Sequence, residues 1–158
     1  MRVICSRILH NPVPRSRGSG SRGTQSGRVA KILVADDDPD ILELVQTFLE
    51  MAGHDVVVTA DGLSAYESLN AGAFDISVLD NCMPGMTGPE IVAACQSLDP
   101  RPVMVLLSAL ASRQDIRDGF LAGADDYISK PFARKELVDR VAMLLADQQY
   151  AQGCVEAE

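Results

Sequence analysis

Acidic, hydroxyl and amine side chains follow four separate apolar runs of this sequence. The acids Asp36–Asp38 come directly after the first run and Asp80 after another, while Ser108 and Lys130 follow two later runs. Carboxylates that share a partly buried site repel one another, so they need a compensating cation. A hydroxyl and an amine can meet phosphoryl oxygens while an attacking oxygen is held in line. These residue types predict metal-assisted phosphoryl transfer.

Magnesium is the cation that suits such a site. It prefers oxygen ligands, commonly one or two carboxylates together with waters and substrate phosphate. The acids that fit this role are Asp37 and Asp80 as direct ligands, with Asp36 acting through water or as a neighbour. Zinc fits poorly, because neither His10 nor His54 is placed with these acids. We therefore expect Mg²⁺ as the cofactor.

The segments that would position these groups alternate between two patterns. Short β-type runs are followed by amphipathic stretches, which is typical of βαβ units and of a parallel sheet with helices on both faces. In open parallel sheets, ligands bind beyond the carboxyl ends of the strands. All four groups would then lie at one edge. The predicted strands are Lys31–Ala35, Asp55–Thr59, Ile76–Leu79, Val103–Leu107 and Tyr127–Ser129.

Five amphipathic stretches between and after these strands predict helices. Their ends are indicated by glycine after the first helix and by proline and an acid in the first turn of the third. The predicted helices are a stretch from about Ile41 that ends at Gly53, Ser64–Ala71, a stretch that opens at Gly88, Ser112–Ala122 and Arg134 to about Gln148.

Charge is unevenly distributed along the 158 residues. Residues 1–28 contain six Arg and no acid, whereas the remainder contains 8 basic and 22 acidic residues, a net charge of −14. We expect a disordered basic leader over residues 1–28, one domain over 29–148 and a flexible tail over 149–158. An organellar targeting segment or a wrongly assigned start codon would give the leader the same composition. The acidic domain predicts no direct nucleic-acid binding by the folded part.

Cysteine spacing and hydropathy predict the compartment. The cysteines Cys5, Cys82, Cys95 and Cys154 show no C-x-x-C spacing and no paired framework, so we expect reduced thiols in the cytoplasm. The most apolar stretch, Val103–Leu107, is far shorter than the roughly 20 residues that a membrane helix needs. A cytoplasmic protein without membrane insertion is therefore expected.

Four segments of the sequence resemble the receiver domains of two-component response regulators, and the resemblance covers about residues 29–148. It implies an α/β fold of the doubly wound, flavodoxin-like (βα)5 type, with a five-stranded parallel sheet of order 2-1-3-4-5 and helices on both faces. The segments that carry it are Ile32–Pro39, Leu79–Gly88, Leu107–Ala109 and Gly123–Phe132.

The resemblance implies a role for each acid and for the lysine. Asp80 would be the phosphoacceptor, and Lys130 would pair with the phosphoryl group. Asp37 and Asp80 would bind the metal directly together with the Cys82 backbone carbonyl, and Asp36 would assist.

The resemblance also implies how phosphorylation changes the shape of the domain. The Ser108 hydroxyl would follow the arriving phosphoryl group, and Tyr127 would rotate inward as the switch residue. The bond between Lys130 and Pro131 would be cis. One departure from the usual pattern is Thr87, which stands where many receivers have Asp and bears on partner choice and phosphoryl lifetime.

The implied function is a signalling switch rather than a classical enzyme. A histidine kinase or phosphotransfer protein would supply the phosphoryl group, and the domain would assist its own phosphorylation and dephosphorylation. The output would be a changed face, built from the fourth helix, fifth strand and fifth helix, that binds a downstream effector or a second copy.

Three alternatives have different requirements. An atypical receiver would act as a docking module without phosphorylation, and the intact Asp37, Asp80, Ser108 and Lys130 argue against it. A phosphohydrolase with an aspartyl-phosphate intermediate would need an acid two residues after Asp80, where Cys82 stands. A flavin-binding protein would need a glycine- and hydroxyl-rich loop after the first strand, where three acids would repel a phosphate.

Overall fold

A single parallel sheet forms the centre of the protein. The structure is a computed structural model, and it describes residues 28–109 and 112–153. Residues 1–27 of the predicted leader and 154–158 of the predicted tail lie outside the described residues. The strands are β1 (Lys31–Ala35), β2 (Asp55–Thr59), β3 (Ile76–Asp80), β4 (Val103–Ser108) and β5 (Asp126–Ser129).

A helix follows each strand, as the alternating pattern predicted. The first helix begins where the Asp38 side chain accepts a hydrogen bond from the Asp40 N–H, and Gly53 follows its end with a positive φ of 94°. The helices are α1 (Pro39–Met51), α2 (Gly62–Ala71), α3 (Gly88–Ala94), α4 (Arg113–Ala122) and α5 (Arg134–Gly153).

The sheet has strand order β2-β1-β3-β4-β5, and all of its strand pairs are parallel. Alternate residues of each strand face opposite sides, so the sheet has two apolar cores. One core is shared with α2, α3 and α4, and the other with α1 and α5. The predicted α/β fold, its strand order and its helices on both faces are therefore confirmed.

The ends of several elements differ from the prediction. Strands β3 and β4 each include one further polar residue, because Asp80 and Ser108 continue the ladder. Helix α2 begins two residues early, because Asp61 caps it by accepting from the Ser64 N–H. Helix α5 passes the predicted end at Gln148 and continues to Gly153, so residues 149–153 of the predicted flexible tail are helical.

Helix α5 is longer than predicted because its sequence carries no stop signal: neither Gly nor Pro occurs after Arg134 before Gly153. It is the longest described helix, yet neither α5 nor any other helix in the described ranges combines the length and apolar character of a membrane span.

The start of α2 is fastened to the loop between β3 and α3. The Gly62 N–H donates to the Pro84 carbonyl oxygen at 3.0 Å. The two backbones are so close that a Cβ on residue 62 would lie 1.8 Å from the Met86 carbonyl oxygen. Because this loop follows Asp80 directly, α2 fixes the path of the chain beside the phosphoacceptor candidate.

Replacing Gly62 by alanine should strain this contact, because a backbone oxygen cannot move aside without shifting the loop. We expect Gly62→Ala to lower the free energy of unfolding by about 2–3 kcal/mol, measured by urea denaturation. Gly72→Ala is the control, since a Cβ there would first meet the Phe74 ring edge at 3.3 Å, where a side chain can yield. Equal losses in both variants would contradict this account.

Candidate functional site

The sheet register brings the predicted acids together at the carboxyl edge. Val34 on β1 pairs with Val78 on β3, and residues two positions further on point to the same face. Asp36 and Asp80 are therefore neighbours, and only 1% and 7% of their surfaces are exposed. Asp37 is exposed, and one carboxylate oxygen from each of these three acids lies within 4.8 Å of the others.

The Lys130 ammonium contacts two of the three acids. Its Nζ donates to Asp36 Oδ2 at 2.5 Å and to Asp80 Oδ1 at 2.7 Å. The lysine directly follows β5, and its N–H donates to the Ser108 carbonyl oxygen at 2.7 Å. The bond to Pro131 is cis, as the resemblance implied. One ammonium therefore offsets part of the charge of three acids.

Burial and charge compete in setting the pKa values of this pair. Burial raises the pKa of Asp36 above its ordinary value and outweighs the hydrogen bond from Lys130, which favours the ionised carboxylate. Burial acts to lower the pKa of Lys130, but its hydrogen bonds to Asp36 and Asp80 prevail and raise that pKa. Lys130 is thus held in its charged form, but its single positive charge does not balance the negative charge of the three acids.

Backbone amides complete the bonding of the two buried carboxylates. The Asp38 N–H donates to Asp36 Oδ1 at 2.9 Å, and the Cys82 N–H donates to Asp80 Oδ2 at 3.2 Å. With the two bonds from Lys130, all four carboxylate oxygens accept a hydrogen bond. Each oxygen has a second lone pair, so the orientation is fixed while sites for a metal ion remain.

Ser108 and Tyr127 lie on the other side of Asp80 from the acids of β1. Asp80 pairs with Leu107 on β4, which places the buried Ser108 next along the same edge. Tyr127 on β5 pairs with Leu106, is 8% exposed, and its hydroxyl has no hydrogen-bond partner among the described residues. Within that part of the chain no hydrogen bond joins either side chain to Asp80.

The loop after β3 contains one feature that the sequence interpretation missed. Thr87 caps α3: its hydroxyl accepts from the Glu90 N–H at 3.4 Å, and the Glu90 carboxylate accepts from the Thr87 N–H at 2.8 Å. The T-x-x-E spacing is the signature of this capping box and could have predicted it. The contact observed for Cys82 is made by its amide, so the metal-binding role of its carbonyl stays a prediction.

The donor set fits magnesium. The grouped ligands are all carboxylates, and no His or Cys side chain joins them within the part of the chain that the structure describes. Three carboxylates and one ammonium leave two negative charges, which one divalent cation would balance. The acidic pocket is therefore suited to a hard divalent ion in charge and in ligand chemistry.

Comparison with known proteins gives the family. Residues 32–142 match the family described as "Response regulator receiver domain". The chain belongs to this family. As a receiver domain it is a component of two-component regulatory systems, as the resemblance of its sequence segments to receiver domains implied.

Regulators from several bacteria are similar to this receiver. The transcriptional regulatory protein PrrA of Mycobacterium tuberculosis is 40% identical over 115 residues, which are 73% of this chain and 49% of PrrA. The DNA-binding response regulator MtrA of Mycolicibacterium smegmatis is 38% identical over 111 residues, 70% of this chain and 48% of MtrA. The receiver thus spans about half the length of the curated relatives it matches.

Solved receiver structures share the fold along nearly their whole length. The Francisella response regulator 1452 receiver domain is 34% identical, with a TM-score of 0.71 over 75% of this chain and 98% of that one. The chemotaxis response regulator CheY4 of Vibrio cholerae is 30% identical, with a TM-score of 0.69 over 73% and 98%. The β2-β1-β3-β4-β5 sheet is thus the receiver fold.

Adding Mg²⁺ should stabilise this receiver, because an ion that binds only the folded protein shifts the unfolding equilibrium. At a concentration about ten times Kd the gain is about 1.4 kcal/mol, so we expect the Tm in a calorimetric scan to rise by about 3–6 °C. Asp37→Asn should lose most of this shift. Asp40→Asn, which changes an exposed acid outside the cluster, is the control. A full shift in Asp37→Asn would rule out its role as a ligand.

Proposed function

We propose that this receiver is a phosphorylation switch that accepts a phosphoryl group on Asp80 from a phosphohistidine donor, with Mg²⁺ bound beside it. The observation that carries this proposal is the position of the Asp80 carboxylate, which is grouped with Asp36 and Asp37 and hydrogen-bonded to Lys130. The donor would be a histidine kinase or a phosphotransfer protein. The receiver would assist its own phosphorylation and dephosphorylation without being a classical enzyme.

Asp80 suits the phosphoacceptor role better than the other two acids because of the strand that carries it. Strand β3 lies between β1 and β4, so Asp80 has Asp36 and Asp37 on one side and Ser108 on the other. A phosphoryl group on Asp80 would have metal-binding carboxylates on one side. The Ser108 hydroxyl would be a donor on the other side, and the Lys130 ammonium, which contacts both Asp36 and Asp80, would be a second donor, as phosphoryl transfer requires.

The transfer can be written with the groups of this site. An oxygen of Asp80 attacks the phosphorus of phosphohistidine, the P–N bond breaks with its electron pair left on the imidazole, and an aspartyl phosphate forms. Lys130 can then donate to a phosphoryl oxygen. Mg²⁺, when bound, offsets the negative charge of the phosphoryl oxygens. We assign its direct contacts to Asp37, Asp80 and the Cys82 carbonyl, with Asp36 assisting.

We assign Ser108 and Tyr127 to the conformational change that follows phosphorylation of Asp80. The Ser108 hydroxyl would donate to a phosphoryl oxygen and follow it toward Asp80. Tyr127 packs so closely against α4 that a Cβ on Gly119 would lie 3.4 Å from its ring. A conformational change beside Tyr127 would therefore shift α4. The face formed by α4, β5 and α5 would change with it.

The surfaces of α4 and α5 suit a protein partner. Both helices expose large apolar side chains, which favour binding to a downstream effector or to a second copy. Residues 29–158 carry a net charge of −14, so direct binding of nucleic acid by this domain is not proposed. The exposed apolar residues are Phe120 and Leu121 on α4 and Met143 and Tyr150 on α5.

The phosphoacceptor can be identified by mass. Incubation with acetyl phosphate and Mg²⁺ should add one phosphoryl group to the wild type, because one oxygen of the Asp80 carboxylate attacks the phosphorus. Intact-protein mass spectrometry should find no addition to Asp80→Asn. Asp55→Asn, which changes an exposed acid at the opposite end of the sheet, should be modified like the wild type. Modification of Asp80→Asn to the same extent would refute the assignment, whereas a wild type that gains no phosphoryl group would favour a docking module.

Replacing Lys130 should slow phosphorylation while leaving the fold intact. Removal of a charged donor from the reacting oxygens should lower the initial rate with acetyl phosphate by about 100–1,000-fold. Circular dichroism in the presence of Mg²⁺ should match the wild type. Lys135→Ala removes an exposed lysine that pairs only with Asp139 among the described residues, and should leave the rate unchanged. Equal rates for Lys130→Ala and Lys135→Ala would exclude the proposed role.

A further inference from the structure

Arg101, in the loop between α3 and β4, is bonded to the end of α4. Its Nη2 donates to the Gly123 carbonyl oxygen at 2.5 Å, and its Nη1 donates to the Asp125 carboxylate at 3.0 Å. Helix α4 has no basic residue in its last turn, so this guanidinium supplies the positive charge that the C-terminal end of a helix favours. Arg101 therefore holds the end of α4 from outside the helix.

Asp125 joins this contact to the sheet. Its Oδ2 accepts from the Met104 N–H at 2.8 Å, and its own N–H donates to the Met104 carbonyl oxygen at 2.8 Å. Gly123 ends the helix with a positive φ of 107°, and a Cβ there would overlap the Gln96 side chain. The end of α4 is thus bound to β4 through Arg101 and Asp125, and it packs closely against the segment that follows α3.

The start of α4 has no comparable attachment. Ser112 and Asp115 form a capping box, which is a local contact within the helix itself. Among the described residues, no hydrogen bond or ion pair joins the segment 112–118 to another element. This segment contacts the core through the apolar side chain of Ile116, and apolar contacts are not directional. The start of α4 is therefore easier to displace than its end.

We propose that Arg101 is a positioning residue that makes Gly123 the pivot of α4, so that the switch turns the helix about this end instead of sliding it. This inference rests on the proposed phosphorylation of Asp80. A change would reach the helix at Gly119, which packs against the Tyr127 ring. The bonds of Arg101 persist in both states, and the start of α4 carries the movement.

Positions along α4 set the size of this movement. Gly119 is about 6 Å from the pivot at Gly123 and Arg113 is about 15 Å from it, at the helical rise of about 1.5 Å per residue. Helix shifts at the interfaces of switching proteins are about 1–2 Å. A displacement of about 1 Å at Gly119 would turn the helix by about 10° and move Arg113 by about 2.5 Å. The start of α4 would thus move farther than Phe120, which lies near the pivot.

Residual dipolar couplings of the α4 amides test the proposal, because they give the orientation of the helix relative to the sheet. They are measured in Mg²⁺ with and without beryllofluoride, a mimic of the phosphoryl group. Beryllofluoride should turn α4 of the wild type by about 10° and leave the Gly123 amide signal nearly in place. In Arg101→Met the turn should fall to about half and the Gly123 signal should move, because the displacement then divides between turning and sliding. Arg101→Lys, which keeps the charge and a donor, should restore most of the turn.

Arg28→Met is the matched control. Arg28 forms an ion pair with Asp75 at 2.7 Å and makes no hydrogen bond to α4 within the described residues, so this variant should turn like the wild type. Asp125→Asn can still accept from Met104 but weakens the contact with Arg101, and it should reduce the turn even if Arg101→Met does not fold. A full turn in Arg101→Met or Asp125→Asn, or a wild-type helix that slides without turning, would overturn the proposal. Failure of the wild type to bind beryllofluoride, or equal binding by Asp80→Asn, would instead overturn the phosphoacceptor function.

Discussion

The contact of the Lys130 ammonium with the Asp36 and Asp80 carboxylates is the interaction on which the site depends. Lys130 is 94 residues from Asp36 and 50 from Asp80 in sequence, so the contact exists only if three strands are in the correct order. With Asp37 beside them, the acids carry more negative charge than one ammonium can balance. The fold therefore maintains a charge imbalance that a divalent cation would relieve.

The parallel sheet supplies the order that this contact needs. Strands β1, β3 and β4 are adjacent, so the residues after their carboxyl ends share one edge, and β5 places Lys130 beside β4. Both faces of the sheet are largely apolar, and apart from Ser77 its buried polar residues lie at or next to the ends of the strands. The loop after β3 is fixed independently, by the bond from Gly62 of α2 to Pro84 and by the cap on α3.

The sequence predicts the sheet and the acid cluster because each rests on a local pattern. An apolar run followed by an acid, as at Asp80, indicates both a strand and its end. The length of α5 has no such signal before Gly153, and the start of α2 depends on a cap by Asp61 that propensity alone does not reveal. The hydrogen-bond state of single atoms, such as the Tyr127 hydroxyl, which has no partner among the described residues, follows from packing between distant segments and needs coordinates.

Hydrogen bonding differs between the two sides of Asp80. On the β1 side, both oxygens of Asp36 accept hydrogen bonds, so that side has little reason to rearrange. On the β4 and β5 side, Asn81 Oδ1 and the Tyr127 hydroxyl are buried and unpaired within the described residues, with Ser108 beside them. Groups without a hydrogen-bond partner gain most from a rearrangement, because they can form a new hydrogen bond without breaking an existing one. Among the described residues, the β4 and β5 side of Asp80, where α4 and α5 lie, therefore has buried groups that can form new hydrogen bonds without breaking existing ones.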